Sequence, residues 1–150
     1  MKVLNYGSLN VDYVYSVDHI IVGGETQHSS KLEVFSGGKG LNQSIALAKA
    51  GVPVYHAGLI GDGGEILLET CRDNHVNTEF IHQISGPCGH TVIQVDQNGQ
   101  NCILLYGGAN QSITKEFVDE VLSHFDKGDM LLLQNEISEL DYIIEKASEK

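Results

Sequence analysis

The chain has 150 residues, 41% of them hydrophobic, which is enough for one ordinary domain with its own core. Its 20 acidic against 9 basic residues give a formal charge of −11, which opposes binding to nucleic-acid phosphates or an anionic membrane surface and suits a small neutral ligand. Three cysteines, Cys71, Cys88 and Cys102, are odd in number and form no CxxC, so neither a disulfide framework nor a structural zinc site is indicated.

In chain order, "KVLNYGSL" is a short apolar run of strand character that ends at Gly7 and Ser8. "VDYVYSVDHIIV" alternates and is β-branched, and is expected to extend that strand. After "GGKG", Leu41, Ile45 and Ala48 recur at helical spacing until Gly51 and Pro53 stop the helix. "VPVYHAGLIG" reads as a buried strand, "GEILLETCRDNH" as a helix and "TEFIHQI" as a short strand. "HTVIQVDQNGQNCILLYG" holds two alternating runs joined across Asn98-Gly99, a hairpin signature. Thr114 is placed to cap "KEFVDEVLSHF", with Glu116 in the positive first turn and Ile113 set to pack on Val118. "DMLLLQNE" follows as a central strand, and a last helix is expected to open at Ser138.

Strands alternating with helices predict an α/β fold: a three-layer αβα arrangement with a mainly parallel sheet covered on both faces, and a smaller β-sheet beside it. The last helix reaches Lys150 without a C-cap glycine, and crossover helices lead into a further strand. The chain therefore reads as the front part of a longer protein. No window reaches the roughly 18 apolar residues of a membrane span, and the N-terminus has no long apolar run behind its basic residue. A cytoplasmic location is the expectation.

"SGGKGLNQ" is the most distinctive stretch. A P-loop would need glycine where Glu33 stands and Ser or Thr where Gly40 stands, and a dinucleotide fingerprint would need a small residue where Gln43 stands. The glycines present bare N–H groups at a helix N-terminus, Lys39 adds a cation and Asn42 a two-way amide, which are tools for a polyhydroxylated ligand. A plain tight turn would use the same glycines. Asn10 and Asp12 lie at i and i+2 past an apolar strand, so their side chains share a face, and the carboxylate can accept from two adjacent hydroxyls. A turn role for Asp12 stays open. Glu136 ends a buried strand, where open α/β sheets place ligands. His56, His75, His82 and His90 form no HxxxH pair, and no serine sits in GxSxG.

"GSLNVD", "GGET", "GGKGLNQSIALAKAG", "GLIGDG", the hairpin with "GGAN", and "LLLQNE", in this order, resemble the N-terminal half of the ribokinase-like (PfkB-type) carbohydrate kinases from about Val3 to Glu139. The resemblance implies transfer of the γ-phosphoryl group of ATP to a sugar's primary hydroxyl, with ribose as the favoured substrate. Another sugar, a nucleoside or a sugar acid is the alternative, as is a non-catalytic sugar-binding or dimerising relic. It implies sugar contacts at Asn10, Asp12, Gly37, Gly38, Lys39, Asn42 and Glu136, a lid at about 12–36 and 90–106 that excludes water, and a homodimer through that lid. Thr91 and Ile93 are further lid positions that could face the sugar. The family's Gly-Ala-Gly-Asp turn, which carries the general base, is absent from these residues, so no catalytic residue is assigned here. ATP with Mg2+, and a monovalent cation, are implied mainly for the other half. "HIIVGGET" lacks the prolines common before "GET", and Cys88 stands where Thr is common, so both departures touch the lid.

Overall fold

In the computed structural model, which describes all residues 1–150, two four-stranded sheets share the chain. Sheet A contains β1 (Val3–Tyr6), β4 (Val54–Asp62), β5 (Asn77–Pro87) and β8 (Met130–Leu133) in the order β5-β4-β1-β8, all parallel. Sheet B contains β2 (Asn10–Ser16), β3 (Lys31–Gly37), β6 (His90–Val95) and β7 (Asn101–Tyr106) in the order β3-β2-β6-β7. There β2 runs antiparallel to β3 and parallel to β6, and β7 closes the β6 hairpin.

Side-chain alternation divides the core between the two faces of sheet A. Leu4, Tyr6, Ala57 and Leu59 pack with Phe117, Val118 and Val121 of α3 (Lys115–Leu122) and Ile143 of α4 (Leu140–Ser148). Val3, Val54 and Ile60 pack with Leu41 of α1 (Lys39–Lys49) and with Leu67 and Cys71 of α2 (Glu65–Asp73). The expected three-layer αβα arrangement is therefore present, with the hairpin outside the main sheet. Thr114 caps α3 by accepting from the Phe117 amide at 3.3 Å, and Ile113 and Val118 are both buried in the same cluster. No helix is long and apolar enough to cross a membrane.

Five expectations need correction. "DMLLLQNE" is not a central buried strand: β8 is an edge of sheet A, half-buried, paired only to β1, and it stops at Leu133, three residues before Glu136. The first strand does not run on into "VDYVYSV": the chain leaves sheet A after Tyr6, and β2 belongs to sheet B. Periodicity continues across residues 7–9, but pairing partners change, and pairing is a tertiary matter. "DHIIV" is not strand; β2 stops at Ser16, and a turn at Gly24 with φ 86° follows. "KLEVFSG", given no element above, is β3, paired to β2 residue by residue. Ser138 does not open the last helix. Its Oγ accepts from the Ile113 amide at 3.0 Å, and α4 begins instead after Glu139 in the left-handed region.

α1 is tied to sheet A by a buried polar chain as well as by Leu41. Asn5 Nδ2 donates to Gly40 O at 2.7 Å and to Ser44 Oγ at 2.8 Å, and Ser44 in turn meets His56 Nδ1 at 2.8 Å. His56 Nε2 lies 3.1 Å from Gly7 O, which can only accept, so the ring carries its proton on Nε2 and Ser44 donates to Nδ1. Gln134 extends the chain by donating to Asn5 Oδ1 and Gln43 Oε1, each at 2.7 Å.

His56 is fully buried, and that burial pushes its imidazole down to about 4, against the raising effect of the Gly7 carbonyl bond. The unfolded ring, near 6.5, takes up a proton first as pH falls. The stabilisation from the neutral ring is therefore complete above about 6.5 and is lost as pH falls towards 4. The stability advantage of the wild type over His56→Gln, from urea denaturation, is expected to shrink by about 2 kcal/mol between pH 7 and pH 5. An advantage that does not change with pH would show that the ring is not held neutral.

Candidate functional site

α1 begins where its backbone touches the link between β1 and β2. A Cβ on Gly40 would stand 2.5 Å from Ser8 N and 2.6 Å from Gly7 C, and one on Gly38 2.8 Å from Ser8 O. Only glycine allows this approach, and Gly38 also needs φ 101°. Two bonds use the closeness: Leu41 N donates to Ser8 O at 3.0 Å and Gly40 N to Ser8 Oγ at 3.2 Å, while Asn42 N opens the helix's own ladder by donating to Gly38 O at 3.0 Å.

Glu136 arrives from just beyond β8. Its Oε2 accepts from Ser8 Oγ at 2.6 Å and from the Lys39 amide at 3.3 Å, while Oε1 pairs with Lys39 Nζ at 2.8 Å. The carboxylate thus sits at the positive end of α1. Burial pushes its pKa upward, but the bonds from Lys39 and Ser8 and the Lys39 charge outweigh that and hold it below the usual carboxylate range. Glu136 is well covered while Lys39 is 71% exposed, so the ammonium remains open to a ligand.

Asp12 lies across from both Phe35 and Thr91 in sheet B. Its Oδ1 accepts from Thr91 Oγ1 at 2.6 Å, and its Oδ2 fills the space over Gly37, where a Cβ would stand 2.0 Å away. Asn10, 4% exposed, accepts from Asn110 Nδ2 at 2.7 Å. Asn42 is exposed in the first turn of α1, and its side chain makes no hydrogen bond.

Asn10, Asp12, the Gly37–Lys39 turn and Glu136 therefore converge at the carboxyl ends of the parallel strands, and Asn42 follows them one turn along. Ser8, Asn110 and Thr91 complete the contacts. Ser8 and Asn110 stand inside "GSLNVD" and "GGAN", but their side-chain partners lie 128 and 100 residues away, beyond the reach of any local pattern. The other histidines serve elsewhere. His82 stacks on Phe117 with ring centroids 4.9 Å apart, His90 lies 5.2 Å from Tyr106, and His75 closes α2 with φ 60°.

A parallel α/β sheet with carboxylates, an amide and a helix N-terminus gathered at its strand ends, and a second sheet rising beside them, is the arrangement at which open α/β folds place small polar ligands. The chain matches the model of the pfkB family carbohydrate kinases over residues 1–147, and belongs to that family. It is 33% identical to the ribokinase of Bacillus subtilis over 135 residues, which is 89% of this chain and 46% of that protein. The ribokinase of Thermotoga maritima superposes with a TM-score of 0.81 at 38% identity, covering 91% of this chain and 46% of that one. Arabidopsis thaliana ribokinase complexed with ribose and ATP superposes with a TM-score of 0.79 at 27% identity, covering 97% and 49%. The chain spans about half the length of the curated relatives it matches.

Gly38→Ala should lose about 1–3 kcal/mol of unfolding free energy, because backbone strain and the collision with Ser8 add. Gly51→Ala is the control, since φ there is 81° but nothing lies within 4 Å of its Cβ. Denaturation should show the larger loss at Gly38. Equal losses would mean that strain alone operates and that the close seating of α1 has no energetic consequence.

Proposed function

We propose that the protein carrying this chain is an ATP-dependent carbohydrate kinase that phosphorylates a sugar's primary hydroxyl, with ribose, giving ribose 5-phosphate, as the favoured substrate. This chain supplies the sugar-binding half and the lid of a single ribokinase-like domain. The convergence of Asn10, Asp12, Lys39 and Glu136 at one set of strand ends is the observation that carries the reading. The ribokinases among its relatives support ribose.

Asp12 offers a charged acceptor to hydroxyl donors, Asn10 and Asn42 offer amides, and Lys39 offers a cation. Together they orient a neutral polyol so that its primary hydroxyl faces the phosphoryl donor. Sheet B, attached beside the site, acts as the lid that keeps water from accepting the phosphoryl group. The residues present do not fit ATP and its Mg2+: α1 opens on Glu136, an anion, and the chain has no group of three or more His, Cys, Asp or Glu side chains able to hold a metal. We assign the nucleotide, Mg2+, any monovalent cation and the general-base Asp to residues outside 1–150. A cytoplasmic setting, where ATP is plentiful and Cys71, Cys88 and Cys102 stay reduced, fits this chemistry.

Asp12→Asn keeps the size of the side chain but removes the charge from its hydrogen bonds. Charge-assisted bonds are worth roughly 1.5–3 kcal/mol each. In the full-length protein the KM for ribose should rise by about tenfold or more, with that for ATP nearly unchanged. Unchanged sugar kinetics would leave Asp12 only the structural role of holding Thr91 across sheet B, and ATP consumption across a panel of sugars identifies the substrate.

We also propose pairing through the lid, which its exposed apolar residues support. In β7 Ile103 is 59% and Leu104 72% exposed, and as neighbours they point to opposite faces of sheet B. Sedimentation should give a dimer for the wild type and a monomer when Ile103→Glu and Leu104→Glu are combined. A monomeric wild type would refute the pairing.

A further inference from the structure

Residues 7–9 cross from sheet A to sheet B, so Leu9 sits between the last residue of β1 and the first of β2. Its backbone is served by a side chain. Asn110, 2% exposed in the short 3-10 turn Gly108–Gln111, accepts from Leu9 N at 3.0 Å through Oδ1 and donates to Leu9 O at 3.2 Å through Nδ2. The same Nδ2 donates to Asn10 Oδ1 at 2.7 Å.

The direction of this relay is forced by the backbone. An amide N–H can only donate and a carbonyl can only accept, so Leu9 permits one orientation of the Asn110 amide. Nδ2 of Asn110 then faces Asn10, which must turn its oxygen towards it. Asn10 is left with its Nδ2 pointing away and without a protein partner. That nitrogen is not sealed off, since the only solvent-excluded side-chain atoms lacking a partner are Tyr6 Oη and Gln134 Oε1.

Two residues along the same face, Asp12 can only accept. Gly89 leaves room for the amide pair: a Cβ there would stand 2.1 Å from Asn110 Nδ2 and 2.5 Å from Asn10 Oδ1. Its φ is not positive, so the glycine answers to the side chains and not to its own backbone.

We infer that Asn110 is a positioning residue that fixes Asn10 as a hydrogen-bond donor to the ligand. Beside the acceptor Asp12, this sets a donor and an acceptor next to each other, which resting on the kinase reading above selects a neutral polyol. A hydroxyl both accepts from Asn10 and donates to Asp12. A keto oxygen at that place cannot donate, and an ammonium group cannot accept.

The test is a double-mutant cycle on the full-length protein, with ribose and ATP affinities measured by calorimetry. Asn110→Ala should weaken ribose binding about tenfold and leave ATP binding unchanged. In an Asn10→Ala background the same change should alter ribose binding by less than about twofold, because Asn110 acts through Asn10. An equal loss in both backgrounds would make Asn110 merely structural and overturn the inference. Gly89→Ala, which keeps both amides and Leu9, should reproduce the weakening and serves where Asn110→Ala does not fold. Without ligand, NMR should show the Asn110 side-chain NH2 protected from solvent exchange and that of Asn10 exchanging freely, and the reverse pattern overturns the assignment. A wild type that binds no sugar would remove the kinase reading, while the exchange pattern would still decide the orientation of Asn10.

Discussion

The structure is referenced to one contact, the seating of the N-terminus of α1 on the backbone of Gly7 and Ser8. Because Gly38 and Gly40 have no side chains, peptide groups of the helix and the β1–β2 link approach to within hydrogen-bonding range. Ser8 then serves three partners: its carbonyl takes Leu41 N, its hydroxyl takes Gly40 N, and that hydroxyl donates to Glu136. The acid just beyond β8 is thereby joined to the first turn of the helix. A side chain at either glycine would separate the elements that hold Lys39 and Glu136 together.

Beneath this contact, the chain from Gln43 through Gln134, Asn5 and Ser44 to His56 pairs polar groups that the burial of α1 takes from water, and within it only Gln134 Oε1 lacks a partner. An unmade bond there leaves a buried donor or acceptor unpaired, at a cost of about 1–3 kcal/mol. The network thus specifies the rotation of α1 as well as its position. Leu41 and Leu67 supply non-directional burial and could not do so alone.

Charge is arranged differently at the surface and at the site. The acidic excess of the whole chain is solvated, whereas the site holds one ion pair, Lys39 with Glu136, and two carboxylates already bonded to hydroxyls, Glu136 with Ser8 and Asp12 with Thr91. A ligand entering there meets fixed, mostly satisfied groups with a few open valences, which suits hydroxyls better than a phosphate chain.

Strand and helix periods made most of the fold legible: the parallel run of β1, β4 and β8, the hairpin, and the Thr114 cap all follow from patterns within a dozen residues of sequence. The spacing of glycines around Lys39 and the i, i+2 placement of Asn10 and Asp12 made the candidate site legible in the sequence. Tertiary structure alone decided that the chain changes sheets after Tyr6, that "KLEVFSG" pairs with β2, and that Ser138 serves Ile113 instead of capping α4. It alone joined Ser8 to Glu136 and Asn110 to Asn10. The reason is range: periodicity and capping act between near neighbours in the chain, whereas the partner of an edge strand or a buried amide is set by which distant backbone groups folding leaves unpaired nearby.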